Sequence, residues 1–129
     1  MTVSSRRTLG RRGVEMKGIE LAKLAARLVD EKQGEDIIVY DLHGMSDVAD
    51  YFVLATVNSK SQARAIVGYL DKEFKELGLQ RYGREGDRDS AWTLLDYSDT
   101  VIHIFSPELR AYYALENLWG DAPKVDWKS

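Results

Sequence analysis

The sequence predicts an α/β fold, in which a single domain carries a mixed sheet of about five strands with helices on both faces. The length of 129 residues suits one domain. Apolar residues recur with helical spacing in three segments and form short strand-like runs in five others, in the order α-β-β-α-β-β-β-α. The first two of these runs are apolar on both faces, which is typical of strands that are covered on both sides.

The first helix is predicted from its apolar stripe. Leu21, Ala25 and Leu28 stand at positions i, i+4 and i+7, and further apolar residues widen this face. Gly34 follows the last turn and indicates where the helix ends.

The second helix is predicted from its cap. Ser59 and Gln62 match a capping box, in which each side chain satisfies a free backbone N–H at the helix start. Apolar residues then recur with helical spacing from Ala63 to Leu77, and Gly78 closes the helix.

Five segments predict strands. The first two are rich in β-branched residues, and the last two are joined by a three-residue turn that indicates a hairpin. The predicted strands are 36–42, 51–57, 79–84, 91–96 and 100–105, and residues 85–90 form a polar loop before the hairpin.

The last helix has three start signals in a row. Ser106 is a favoured N-cap residue, Pro107 suits the first helical position, and Glu108 places an acid in the first turn. We expect this helix to continue to Gly120. The domain therefore spans residues 16–120, preceded by a basic leader at 1–15 that we expect to be disordered and followed by a short tail at 121–129.

Composition excludes several classes of site. The chain has no cysteine, so disulfides, thiolate nucleophiles and Cys-type zinc sites are excluded, and two histidines make a His-rich metal centre implausible. Residues 1–17 hold five basic residues and one acidic residue, for a net charge of +4, whereas the remaining 112 residues have a net charge of −7. An acidic body repels RNA and attracts basic proteins. We expect a cytoplasmic protein whose partner is a protein, with little direct RNA contact and no membrane.

The search for catalytic chemistry finds one weak candidate. No glycine-rich phosphate loop is present. Asp47 and Asp50 form a carboxylate pair that could bind a divalent metal, as in a divergent nucleotidyl transferase. Both residues also suit ordinary turn and cap roles, and no third acid is evident. We expect no enzyme activity, no cofactor and no metal, and the nucleotidyl transferase stays an open alternative.

The predicted hairpin carries an aromatic strip. Alternation places Trp92, Leu94 and Asp96 on one face of one strand, and Val101, His103 and Phe105 on one face of the other. If the register aligns the two rows, they form one apolar surface with a polar member in each strand. Such a strip is either part of the core or a protein-docking surface, because aromatic residues dominate the hot spots of interfaces.

The chain resembles the ribosomal silencing factor (Iojap-like) family. The similar segments are residues 36–38, 50–56, 85–86, 91–96, 101–105 and 110–119, and they occur in the family's order across nearly the whole domain. One position departs from the family's usual Thr-Gly-x-Ser motif, because Val57 stands in place of the glycine in Thr56-Val57-Asn58-Ser59. A different backbone path is therefore expected at that turn.

The resemblance implies a fold similar to that of nucleotidyl transferases, without their catalytic acids. It also implies binding to the large ribosomal subunit through its protein number fourteen, obstruction of small-subunit joining and lower translation under nutrient limitation. Organellar relatives act in assembly of the large subunit, and such an assembly role is the alternative function that the resemblance implies. Free members of the family can form homodimers. By resemblance and position, the partner-binding residues are Trp92, Leu94, His103, Phe105 and Tyr113.

Overall fold

The computed structural model describes residues 18–47, 49–79, 83–85, 92–97, 99–114, 117 and 121–128, with the backbone alone for 83–85 and 113. Its elements follow the predicted order of helices and strands. They are α1 (Ile19–Glu31), β1 (Glu35–Asp41), β2 (Tyr51–Thr56), α2 (Lys60–Glu76), β3 (Gly83–Glu85), β4 (Trp92–Tyr97), β5 (Thr100–Phe105) and α3 (Pro107–Tyr113). The basic leader at 1–15 and the loop at 86–90 lie outside the described residues.

The five strands form one mixed sheet in the order β1-β2-β5-β4-β3. β2 and β5 pair in parallel at the centre, and the other neighbouring pairs are antiparallel. The predicted mixed α/β fold is therefore confirmed. The central parallel pair joins strands that are far apart in the chain, which local patterns do not predict.

The two faces of the sheet are covered unequally. α1 and α2 pack on one face through a large buried cluster that includes Leu21, Val53, Phe74 and Ile102. The other face holds a smaller cluster, against which the half-buried side chain of Leu109 in α3 packs. Its buried members are Tyr40, Leu42, Leu54, Phe105 and Ala122. Helices lie on both faces as predicted, but only the first face is covered by long helices.

The helix ends partly follow the sequence signals. Gly78 has a φ of 82°, which a side chain would disfavour, as expected for the residue after α2. At the end of α1, however, the left-handed residue is Gln33, with a φ of 71°. Gly34 lets the backbone pass close to the side chain of Val29, because a Cβ at position 34 would lie 2.4 Å from Cγ1 of Val29.

The capping box at the start of α2 differs in one bond. The backbone N–H of Gln62 donates to Oγ of Ser59 at 3.0 Å, as predicted. The Gln62 carboxamide oxygen instead accepts from the backbone N–H of Asn58 at 2.8 Å. Its Nε2 donates to the carbonyls of Gln33 at 2.9 Å and Lys32 at 3.3 Å. Gln62 therefore also joins the start of α2 to the end of α1.

α3 is shorter than predicted. The helix ends at Tyr113, because Ala114 takes a left-handed conformation with a φ of 49°. Its start agrees with the sequence, since Ser106 caps it by accepting from the backbone N–H of Leu109 at 3.2 Å. Residues 115, 116 and 118–120 lie outside the described part of the chain.

The backbone at Val57 continues the line of β2. Its backbone N–H donates to the carbonyl of Phe105 at 2.8 Å, which extends the pairing of β2 with β5 by one residue. The side chain is buried in the first cluster, and Val57 is not among the non-glycine residues with positive φ. The backbone at this position therefore has no need of a glycine.

Residues 121–128 run along the outer edge of β1. The N–H of Asp41 donates to the carbonyl of Pro123 at 2.8 Å, and the N–H of Val125 donates to the carbonyl of Val39 at 2.8 Å. The indole of Trp127 donates to the carbonyl of Ile37 at 3.3 Å. These bonds cover an edge whose unpaired backbone groups would otherwise be open to another chain.

Candidate docking face

The register of the β4–β5 hairpin aligns the two predicted rows. Trp92 pairs with Phe105, Leu94 with His103, and Asp96 with Val101. Because side chains alternate along a strand, both rows lie on the face opposite α1 and α2. We call the group of side chains formed by Phe52, Trp92, Leu94, His103 and Phe105 the aromatic face.

Three rings of the aromatic face stack on one another. Trp92 and Phe105 are 5.5 Å apart between centroids with an interplanar angle of 10°. His103 stacks against Trp92 at 5.9 Å and against Phe105 at 5.7 Å. The cross-strand pairing therefore holds the indole of Trp92 in a fixed orientation.

β2 adds a fourth ring that the sequence prediction did not include. Phe52 is half-buried, and its ring contacts the imidazole of His103 with centroids 4.7 Å apart. Alternation along a strand places Phe52 on the same face as Leu54, but nothing in the sequence indicates that this strand lies beside β5. The parallel pairing of Leu54 with His103 brings Phe52 to the aromatic face.

His103 is nearly enclosed by these neighbours. Its exposed fraction is 4%, and burial lowers the pKa of its imidazole from 6.5 to about 4. The ring is therefore neutral at pH 7. The indole Nε1–H of Trp92 donates to Nδ1 of His103 at 3.2 Å.

The predicted partner-binding residues differ in what they offer to a partner. Trp92 and Leu94 are half-buried and reach the surface. Phe105 is fully buried beneath the indole of Trp92, so it supports the surface instead of forming it. Tyr113 lies in α3, and its side chain is outside the described residues.

The neighbours of Tyr113 point in different directions. Arg110 is 8% exposed, and its guanidinium donates to Oγ1 of Thr56 at 2.8 Å. It joins α3 to the end of β2 and does not extend the aromatic face. Tyr112 is 78% exposed and is therefore available at the surface of the helix.

The alternative carboxylate pair lies at the other end of β2. Nε2 of His43 lies 3.5 Å from Oδ2 of Asp50, and its Nδ1 lies 2.6 Å from Oδ1 of Asp41. The hydrogen bond with Asp41 raises the pKa of His43, and the backbone N–H of His43 is the main cause that lowers the pKa of Asp41. Asp47 is exposed in the loop between β1 and β2.

This arrangement ties the end of β1 to the start of β2. Across the described residues, no group of three or more His, Asp or Glu side chains is placed to hold a metal ion. In the same part of the chain, no helix is long and apolar enough to span a membrane.

Comparison with known proteins gives one consistent family. Residues 15–129 match the family model described as "Ribosomal silencing factor during starvation". Two relatives named ribosomal silencing factor come from Halalkalibacterium halodurans and Bacillus subtilis. The first is 40% identical over 111 residues, covering 86% of this chain and 95% of the relative. The second is 42% identical over 106 residues, covering 82% and 90%.

A more distant relative and a solved structure extend the comparison. The "mitochondrial assembly of ribosomal large subunit protein 1" of Mus musculus is 34% identical over 95 residues, covering 71% of this chain and 42% of the relative. A crystal structure of a Chromobacterium violaceum protein superposes with a TM-score of 0.76 at 34% identity, covering 81% of this chain and 88% of that one.

Proposed function

The chain belongs to the ribosomal silencing factor family, and we propose that it represses translation by binding the large ribosomal subunit through its aromatic face. The partner on the subunit is ribosomal protein number fourteen, and the bound domain blocks the approach of the small subunit. The protein does this in the cytoplasm under nutrient limitation. It needs no catalysis, because a rigid body at the subunit interface is sufficient.

The observation that carries the proposal is the half-buried indole of Trp92 on a preorganised support. Its orientation is held by the stack on Phe105 and by the hydrogen bond to His103. Such an anchor loses little conformational freedom on binding, and Trp is among the residues most enriched in interface hot spots. Leu94 adds apolar area beside it.

Charge favours a protein partner over bare RNA. Outside residues 1–17 the chain has 20 acidic and 13 basic residues. A net negative body speeds encounter with a basic ribosomal protein and disfavours contact with phosphates.

Co-sedimentation with purified large subunits tests the binding. Trp92→Ala is expected to weaken binding by about 2 kcal/mol or more, roughly thirtyfold. Trp127→Ala is the matched control, because Trp127 is also half-buried but packs beside β1, against the cluster on the helix-covered face. Equal binding by folded Trp92→Ala and wild-type protein would remove Trp92 from the interface.

A subunit-joining assay tests the silencing mechanism separately. Saturating wild-type protein is expected to lower the amount of joined ribosomes, and Trp92→Ala at the same concentration is expected to lower it less. Normal joining with the large subunits fully occupied contradicts steric obstruction.

Sedimentation equilibrium of the free protein tests the homodimer that the family resemblance implies.

A second candidate function is assembly of the large subunit. The name of the Mus musculus relative favours it, and the same aromatic face would serve the same subunit. Deletion of the gene distinguishes the two functions. Immature large subunits accumulate if assembly is the main role, whereas translation continues unrestrained during starvation if silencing is.

A further inference from the structure

His103 occupies the centre of the aromatic face. In the register its direct neighbours on either side are Leu54 of β2 and Leu94 of β4. The rings of Trp92, Phe105 and Phe52 surround the imidazole at centroid distances of 5.9, 5.7 and 4.7 Å. A polar ring thus lies where an apolar side chain would pack without cost.

The hydrogen bond from Trp92 determines the tautomer of this ring. An indole N–H can only donate, so Nδ1 of His103 must accept and carries no proton. A neutral imidazole then has its proton on Nε2. Burial keeps the imidazole neutral at pH 7.

The Nε2–H group has no acceptor in the described part of the chain. Nε2 is buried from solvent and makes no hydrogen bond there. A buried donor without a partner costs free energy because it has lost its bond to water. Buried polar groups without a hydrogen bond are rare in native proteins, and they occur preferentially at functional sites. The unpaired donor of His103 therefore indicates a functional role.

We propose that the Nε2–H of His103 is a recognition donor, which pairs with a neutral carbonyl oxygen of the protein that docks on the aromatic face. This inference rests on the proposed function and adds the chemistry of one contact. His103 lies at the middle of the hairpin, beside Leu94 in the register and stacked against Trp92. A donor at the centre of an interface is excluded from water, where a correct hydrogen bond discriminates most strongly between partners.

The charge around His103 determines which acceptor fits. Asp96 is half-buried on the same side of β4, two residues beyond Leu94. A carboxylate from the partner would be repelled by Asp96 and would lose its own hydration. A main-chain or carboxamide carbonyl is not repelled by Asp96 and loses less hydration free energy than a carboxylate, so the acceptor is uncharged.

Docking must include a small side-chain movement, because Nε2 has no contact with solvent in the free protein. Phe52 is half-buried and touches the imidazole, so a change in its rotamer would open one side of the ring. Rotamer changes of this kind are common in interfaces whose backbone does not move.

Three variants of one position test the donor. In His103→Gln the side-chain amide places a donor near the position of Nε2, whereas in His103→Asn the donor lies near Nδ1. His103→Phe keeps an aromatic ring and removes both the donor at Nε2 and the acceptor of the Trp92 indole N–H. We expect His103→Asn and His103→Phe to bind large subunits about tenfold more weakly than wild type, and His103→Gln to retain most of the affinity.

The free energy of unfolding provides a second measurement. If His103 served only to pack the aromatic face, a variant with weaker binding would also be less stable. His103→Phe is expected to need about as much urea to unfold as wild type although its binding is weaker, because loss of the unpaired donor is offset by loss of the acceptor of the half-buried Trp92 indole N–H. Equal binding by His103→Phe and wild type overturns the proposal, and so does equal binding by the folded Gln and Asn variants. If wild-type protein itself fails to bind large subunits, the proposed function fails instead.

Nitrogen-15 spectra of histidine-labelled protein test the tautomer directly. The His103 signals are expected to show a proton on Nε2 in the free protein and a stronger hydrogen bond at that proton on addition of large-subunit protein number fourteen. A proton on Nδ1 in the free protein overturns the proposal.

Discussion

The indole Nε1–H of Trp92 donates to Nδ1 of His103 at 3.2 Å, across two neighbouring strands. The two residues are not directly opposite, since Trp92 pairs with Phe105 and His103 with Leu94. The bond is therefore diagonal and joins two successive pairs of the hairpin. It connects the half-buried indole of Trp92 to the buried imidazole of His103.

Acid is expected to destabilise the protein through His103. The pKa of this ring is about 4 in the folded protein and near 6.5 in the unfolded chain, so only the unfolded chain takes up a proton between these values. The native state then binds fewer protons, and the free energy of unfolding falls as the pH falls from 6.5 to 4. The loss attributable to this group is roughly 3 kcal/mol.

Urea unfolding at pH 7 and at pH 4.5 measures this loss. His103→Phe is expected to show a smaller decrease than wild type. His43→Gln is the control, because the pKa of the exposed His43 is raised and its stabilising contribution is present at low pH. Equal decreases in wild type and His103→Phe contradict the assignment.

Thr56→Val is expected to loosen α3. The substitution keeps the shape of the side chain and removes Oγ1, an acceptor of the buried Arg110 guanidinium. Loss of a buried hydrogen bond to a charged group costs about 1.5–3 kcal/mol of the free energy of unfolding. Thr93→Val is the matched control, because Thr93 has the same exposed fraction of 4% and lies on the face covered by α1 and α2. Denaturant unfolding that ranks both variants alike would show that the Arg110 contact contributes little.

Gln62→Glu is expected to destabilise the junction of α1 and α2. The carboxylate can still accept from the N–H of Asn58. It cannot donate to the carbonyls of Lys32 and Gln33, and it places negative charge against them. We expect a loss of about 1–2 kcal/mol in thermal or urea unfolding. Ser61→Glu, an exposed change in the first turn of the same helix, should be neutral or slightly stabilising because an acid there favours the helix dipole.

Val125→Pro is expected to release the chain from the edge of β1. Proline removes the N–H that donates to the carbonyl of Val39. The free energy of unfolding should fall by about 1–3 kcal/mol, and the uncovered strand edge should promote self-association. Val125→Ala keeps the N–H and serves as the control. Sedimentation velocity that finds both variants equally monomeric and equally stable would contradict this role.

The sequence predicted what depends on neighbours within a few residues. The apolar spacing of α1 and α2, the caps at Ser59 and Ser106 and the turn at Gly78 all appear as expected. Alternation in the hairpin also placed Trp92 with Leu94 and His103 with Phe105, because two strands joined by a tight turn have few possible registers.

Longer-range contacts decided the rest. The parallel pairing of β2 with β5 brings Phe52 onto His103, and the bonds of residues 121–128 cover β1. Both depend on which of several apolar strands occupies each position in the sheet. That choice is decided by the burial free energy of the whole arrangement, which the sequence of one segment does not reveal. The absence of an acceptor for the Nε2–H of His103 among the described residues is also decided by tertiary packing. The sequence shows only that a histidine lies on an apolar strand.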